Sequence, residues 1–235
     1  PAGRRLLPYL AQLRLMEAEA RRALSPREVD GPLRLAVGVN ADSLATWFIG
    51  AVAEVVRDEG IVLDCVVDDQ DHTHALLADG ELLGCVSTRA DPMRGCAAVR
   101  LGAMPYLCAG SPDFRARWFP QGLTPAALAR ALAIVFGHHD DMHEAFLLRH
   151  FGLDAQRYPH HVVPSSEGFM AFAVAGLGYG FIPEIQARDH LARGELVDLA
   201  PEREEVVLYW HHWQVQSPVM ARLAQAIGDA AGKAL

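Results

Sequence analysis

The chain has 235 residues, 51% of them hydrophobic, which suffices for a substantial core in one large domain or two small ones. Its net charge of −8 makes the folded body repel nucleic acid unless charge is segregated. No apolar run reaches the ~18–20 residues that span a bilayer, and the N-terminus lacks a signal-peptide apolar core, so the sequence reads as cytoplasmic with no membrane partner. Cys65, Cys85, Cys96 and Cys108 have no C-x-x-C spacing and read as buried free thiols of a reducing compartment. Basic charge clusters at the front, at Arg4, Arg5, Arg14, Arg21 and Arg22. Arginine is used almost exclusively, Lys233 being the only lysine, a bias that points to base composition rather than to function.

Residues 4–24 carry a helical period, with Leu6, Leu10, Leu13 and Leu24 near one face and Leu7 and Leu15 widening it. The helix is expected to end before Ser25-Pro26, and Asp30-Gly31-Pro32 marks a linker. One helix ahead of a linker cannot bury its apolar stripe alone. It is expected to pack against another copy of the chain or against a missing domain.

Beyond the linker, strand-like runs at 33–39, 61–67, 82–86, 96–101, 104–109, 133–136, 160–163, 178–182 and 205–210 alternate with helix-like runs. The helices fall at 43–58, 70–79, 124–130, 140–150, 166–175, 184–193 and 218–231. Such alternation predicts an α/β fold with mostly parallel sheets covered on both faces. A break near Met104–Pro112 predicts a crossing into a second lobe, and the late strand with the terminal helix would return the chain to the first. Two α/β lobes joined by two crossings make a cleft. Ligands of such sheets sit beyond the carboxyl ends of the strands.

Several junctions place polar groups at those ends. The first strand leads through Val39-Asn40-Ala41-Asp42-Ser43-Leu44-Ala45-Thr46-Trp47 into a helix. Backbone N–H groups at that helix start, with the hydroxyls of Ser43 and Thr46, form a cradle for a carboxylate or phosphate. The plainer alternative is that Asp42 or Ser43 simply caps the helix. Asp68 and Asp69 close the second strand, and Ser87 and Thr88 the third. Val135-Phe136-Gly137-His138-His139-Asp140-Asp141-Met142-His143 is another strand-to-helix junction, whose acids also suit a helix dipole. Pro164-Ser165-Ser166-Glu167 is a third, with Ser165 or Ser166 as N-cap. Together these groups suit a small zwitterion: helix N-termini and hydroxyls for its carboxylate, acids for its amines.

Other patterns carry less. Histidines are doubled at His138-His139, His160-His161 and His211-His212, and His139 and His143 stand four apart on a helix. A zincin helix needs Glu after its first His, whereas Asp140 follows here, and no third ligand is identifiable. Gly176-Leu177-Gly178-Tyr179-Gly180 leaves a helix and enters a strand, the reverse of a dinucleotide fingerprint. Gly176 reads instead as a left-handed residue just past a helix end. No nucleophile elbow or phosphate-binding loop occurs, so nothing demands catalysis, a metal or a cofactor.

These residues resemble the effector-binding portion of LysR-type transcriptional regulators, and most closely the LysG/ArgP-like branch that senses basic amino acids. The resemblance rests on the 39–47 stretch, on Asp140-Asp141-Met142-His143 running to Ala145-Phe146-Leu147, and on Ser165-Ser166-Glu167 with Phe169. Phe181-Ile182-Pro183 and Leu208-Tyr209-Trp210-His211 match as well. Pro164 departs from the pattern of this branch, which often has Asn there, and removes one amide from the pocket rim.

The resemblance covers nearly the whole chain and implies two periplasmic-binding-protein-like lobes with an amino-acid effector in the cleft. It assigns 1–30 to a dimerising linker helix and linker, 31–107 with 206–235 to lobe I, and 108–205 to lobe II. Ser43 and Thr46 would hold the α-carboxylate, with Ser87, Thr88, Ser165 and Ser166 completing the polar contacts. Asp140 or Asp141, Glu167 and Asp68 would meet the amines, Asp42 and His138 would line the site, and Trp47 would pack on the aliphatic stem. The family works as homodimers or tetramers and reads DNA through an N-terminal winged helix-turn-helix. Nothing in this sequence resembles that domain, so the chain is expected to be a fragment that would not bind an operator by itself. The implied function is sensing of lysine or arginine to control amino-acid export or metabolism genes, without catalysis. A solute-binding protein for a small zwitterion is the alternative, for which the front helix has no role.

Overall fold

The computed structural model describes residues 6–24, 31–67, 70–137, 141–153 and 158–235. Two compact units emerge: Pro1–Ala103 with Val207–Leu235, and Met104–Val206.

The first unit opens with α1 (Leu7–Leu24), of which Pro8 and Leu15 are buried. Leu6, Leu7, Tyr9, Leu10, Leu13, Met16 and Leu24 remain exposed, so this unit covers only part of the apolar stripe. Two polar contacts fasten the helix. Arg22 donates to the carbonyls of Glu59 (3.0 Å) and Gly60 (3.4 Å), while Glu19 accepts from Ser217 Oγ (2.7 Å) and the Val219 N–H (3.1 Å). A cation thus meets one helix C-terminus and a carboxylate meets another helix's N-terminus, as the macrodipole favours.

The sheet of this unit is built on β1 (Leu33–Gly38), flanked in parallel by β2 (Ile61–Val66) and β3 (Gly84–Ser87). The part of β8 (Val197–Trp213) that lies here pairs antiparallel with β3, from Gly84↔His212 to Ser87↔Tyr209. Leu35 and Val37 are fully buried. On one side α3 (Ile49–Glu59) buries Ala51, Val52 and Val55, and packs on α10 (Pro218–Ala234), which buries Val219, Met220, Leu223, Ile227 and Ala231. On the other side α4 (Gln70–Ala78) approaches so closely that a Cβ at Gly38 would stand 2.1 Å from Thr73 Cγ2. Gly60 ends α3 in the left-handed conformation (φ 56°).

The second unit pairs the later half of β4 (Cys96–Gly110) antiparallel with β7 (Gly180–Pro183), and β5 (Ala133–Val135) parallel with β6 (His160–Val162). Its core gathers Leu107, Ile134, Phe169, Met170, Ile182 and Leu196. Its helices are α5 (Pro112–Trp118), α6 (Pro125–Leu128), α7 (Asp141–Phe151), α8 (Ser166–Val174) and α9 (Glu184–Ala192). Gly176 takes φ +71° just past α8, the conformation its sequence context implies. A Cβ at Gly180 would fall 2.5 Å from Phe169 Cζ, so this glycine admits close packing.

Several elements differ from the sequence reading. β4 runs unbroken through Gly102, joining two expected strands, and β8 starts eight residues early, at Val197, across Pro201. Helix α5 is absent from the expected runs because Phe114 is its one buried residue, too few for a visible period. Cys85, Cys96 and Cys108 are buried, and burial raises their thiols, to about 12 for Cys85 and about 11 for Cys96. Cys65, contrary to expectation, is exposed. It lies on β2, which pairs with β1 alone and forms the edge of its sheet.

Candidate functional site

In the first unit the parallel pairs Val37↔Gly84 and Gly38↔Cys85 bring the carboxyl ends of β1 and β3 side by side. The 39–47 junction and the Ser87-Thr88 turn therefore leave the sheet at one edge. Asn40 occupies the N-cap in an extended conformation (φ −71°, ψ 151°), but its side chain makes no capping hydrogen bond. Asp42 and Ser43, the residues the sequence offers as caps, lie instead inside the first turn, α2 (Ala41–Ser43). The capping explanation of Ser43 is thereby removed.

Ser43 is 0% exposed, and its Oγ has no hydrogen-bond partner among the described residues. Asn40 Oδ1 and Trp47 Nε1 are buried and unpartnered in the same sense. Positions 40, 43 and 47 stand three and four apart and so share one helix face. Each buried polar atom left without a partner costs about 1–3 kcal/mol. Three of them on one face at a helix start, beside amides that lack intrahelical acceptors, make a site suited to an anionic or zwitterionic ligand. A π-helical turn, Leu44–Phe48, follows at once. Such turns are recurrent at functional sites.

The neighbouring candidates have contacts of their own. Thr46 Oγ1 donates to the Asp42 carbonyl at 2.6 Å, so its hydroxyl hydrogen is committed while its lone pairs still can accept. Trp47 is buried, edge-on to Phe48 with ring centroids 6.0 Å apart. Ser87 is buried and its Oγ accepts the Arg89 N–H at 3.2 Å. Thr88 is half-buried beside it. Asp68 lies outside the described residues.

In the second unit the parallel pair β5–β6 sets the carboxyl ends of the two strands side by side, and Ser165 follows β6 by three residues. Ser165 is the N-cap of α8, accepting the Gly168 N–H at 3.1 Å. Ser166 is buried and donates to Gln186 Oε1 at 3.2 Å. Asp141 and Glu167 are exposed in the first turns of α7 and α8. His138 and Asp140 lie outside the described residues, as does His139, the other half of the histidine pair. Among the described residues no group of three His, Cys, Asp or Glu could hold a metal ion.

Two histidines have a structural prominence that the sequence reading missed. His143 is buried among Tyr158, Tyr179 and Phe181, with its Nε2 3.3 Å from Tyr179 OH. Burial first, and His160 second, push its pKa down to about 3, so the ring is neutral at ordinary pH. His211 is fully buried and edge-on to His74, with ring centroids 5.1 Å apart. By default these histidines read as solvated or hydrogen-bonded; both are hydrogen-bonded, and the tertiary packing adds that both are buried.

Comparison with known proteins identifies the family. Residues 26–232 match the LysR substrate binding domain. The HTH-type transcriptional regulator ArgP of Aeromonas salmonicida is 43% identical over 236 residues, covering 100% of this chain and 79% of that protein. A crystal structure of ArgP from Mycobacterium tuberculosis superposes with a TM-score of 0.87 at 37% identity, over 98% of this chain and 77% of that one. Full-length LysG from Corynebacterium glutamicum with bound effector Arg gives a TM-score of 0.88 at 34% identity, over 100% and 79% of the two chains. Both the two-lobe periplasmic-binding-protein-like α/β fold and the regulatory rather than enzymatic class follow from these relationships. The chain belongs to the LysR family of transcriptional regulators, among relatives named ArgP and LysG.

Proposed function

We propose that this chain senses a basic amino acid, arginine or lysine, and thereby controls genes of amino-acid export or metabolism. The observation that carries the proposal is the buried trio of Asn40 Oδ1, Ser43 Oγ and Trp47 Nε1 at a helix start, without hydrogen-bond partners among the described residues. A hydroxyl, an indole N–H and the first-turn amides are donors for an α-carboxylate, and the Asn40 oxygen is an acceptor for an α-ammonium. The LysG relative with bound effector Arg supports the choice of ligand.

In this reading Ser43 with the first-turn amides takes the carboxylate, assisted by Ser87 and Thr88. Thr46 would join only by giving up its bond to the Asp42 carbonyl. The indole face of Trp47 would support the aliphatic stem. A desolvated cationic end needs a carboxylate, and Asp42, Asp68, Asp140, Asp141 and Glu167 are the acids proposed for it, with Ser165, Ser166 and His138 as neighbours. The regulator would respond by population shift, the effector binding one of two conformations better than the other. A cytoplasmic homodimer or tetramer and a homotypic role for α1 belong to the same proposal.

Calorimetric titration with L-arginine, L-lysine, L-histidine and norleucine tests it. Saturable binding of a basic amino acid with norleucine silent is expected. Norleucine binding as tightly as lysine would remove the acids from the account, and silence from all four would remove the effector assignment.

A further inference from the structure

The candidate effector groups of the first unit stand on two turns, and one of them is held by a residue outside both. His211 lies on β8, directly opposite Cys85 of β3, and is 0% exposed. Its Nε2 stands 2.7 Å from the carbonyl oxygen of Arg89, 122 residues away in sequence. A carbonyl only accepts, so Nε2 carries the hydrogen and donates it. The Arg89 N–H in turn donates to Ser87 Oγ at 3.2 Å. Both polar groups of the Arg89 backbone are thus engaged, one by His211 and one by Ser87. Successive side chains alternate across a strand, so Ser87 shares its face with Cys85 and with the directly paired His211. His74 closes over the imidazole edge-on and fixes the ring plane.

We infer that His211 is a positioning residue for effector binding: by holding the Arg89 carbonyl it sets the 87–89 turn, and with it the Ser87 hydroxyl. Because the Arg89 N–H occupies a lone pair of Ser87 Oγ, the serine's own hydrogen is directed away from the turn, as a donor for a ligand carboxylate. The imidazole touches no ligand. Its effect is to fix an acceptor 2.7 Å from a rigid strand, so that the serine does not lose orientational freedom on binding. This inference rests on the reading of Ser87 as an effector group.

The test is a set of L-arginine titrations on the wild-type chain, His211→Asn, His211→Gln, Ser87→Ala and the double variant His211→Asn/Ser87→Ala, each with a thermal melt. The amide of glutamine reaches the Nε2 position, whereas that of asparagine stops near Nδ1, short of the Arg89 carbonyl. His211→Asn is expected to weaken binding about tenfold and His211→Gln to stay within about threefold of wild type. The double variant is expected to bind no more weakly than Ser87→Ala, because a residue that acts through Ser87 has nothing further to lose. A merely structural His211 would lower both melts alike and add its loss to that of Ser87→Ala. If the asparagine variant does not fold, His211→Phe, which keeps a ring against His74 without the N–H, carries the same expectations. Additive losses, or wild-type affinity in the variant lacking the donor, overturn the positioning role and leave the effector reading standing. Absence of L-arginine and L-lysine binding in the wild-type chain overturns both.

Discussion

The two units solve the same local problem, a strand end followed by a helix start, in opposite ways. In the second unit the junction into α8 satisfies itself: Ser165 caps the helix, Ser166 is held by Gln186, and Glu167 is exposed. In the first unit the side chain of the N-cap residue Asn40 makes no capping hydrogen bond, and a fully buried serine hydroxyl has no partner among the described residues. Self-satisfied junctions contribute stability, and unsatisfied buried ones contribute affinity when a ligand supplies the partner. The first unit is therefore expected to dominate effector affinity and the second to contribute charge discrimination.

Mutation of each junction can break that contrast. Ser43→Ala is expected to weaken L-arginine binding by about 1.5–3 kcal/mol, the range for a hydrogen bond to a charged group, while the melting temperature holds or rises. Calorimetry beside a thermal melt checks both halves. A lower melting temperature with intact affinity would make Ser43 a structural residue.

Acid sensitivity is expected to come from the second unit. The pKa of His143 is held near 3 in the fold against about 6.5 in the unfolded chain, so between those values the unfolded state binds the extra proton. Stability is therefore complete above about pH 6.5 and falls as pH drops toward 3. Replacing His143 with Phe should flatten that acid limb in denaturation measured from pH 7 to 4. An unchanged limb would assign it to other groups.

Ser165→Ala removes a cap and is expected to cost about 1 kcal/mol of stability with little change in effector affinity. Chemical denaturation with parallel titrations reads this out. The smallest effect on effector affinity is expected from Ser166→Ala, whose hydroxyl already serves Gln186. A tenfold loss of affinity there would abolish the distinction between the units.

How much of this was legible in the sequence varied with the source of the signal. The strand-to-helix junction at 39–47 shows in the switch from a short apolar run to helical spacing, and Gly176 shows from its place after a helix. The π-helical turn does not, since it depends on how Trp47 and Phe48 settle into the core. Pro201 hid the first half of β8, because proline normally ends a strand reading. The tasks of His143 and His211 are invisible for a different reason: each is set by partners 36 and 122 residues away. Hydroxyl-rich junctions look alike in sequence, and both Ser43 and Ser166 are buried; only the tertiary hydrogen bonding separates Ser43, without a partner among the described residues, from Ser166, which has Gln186.

The most direct measurement of the central claim is calorimetric titration of L-arginine into the wild-type chain and into Ser43→Ala under identical conditions. The account predicts saturable binding in the first and a loss of about tenfold or more in the second. Equal affinity in both would contradict it, and would show that the buried Ser43 hydroxyl takes no part in holding the effector.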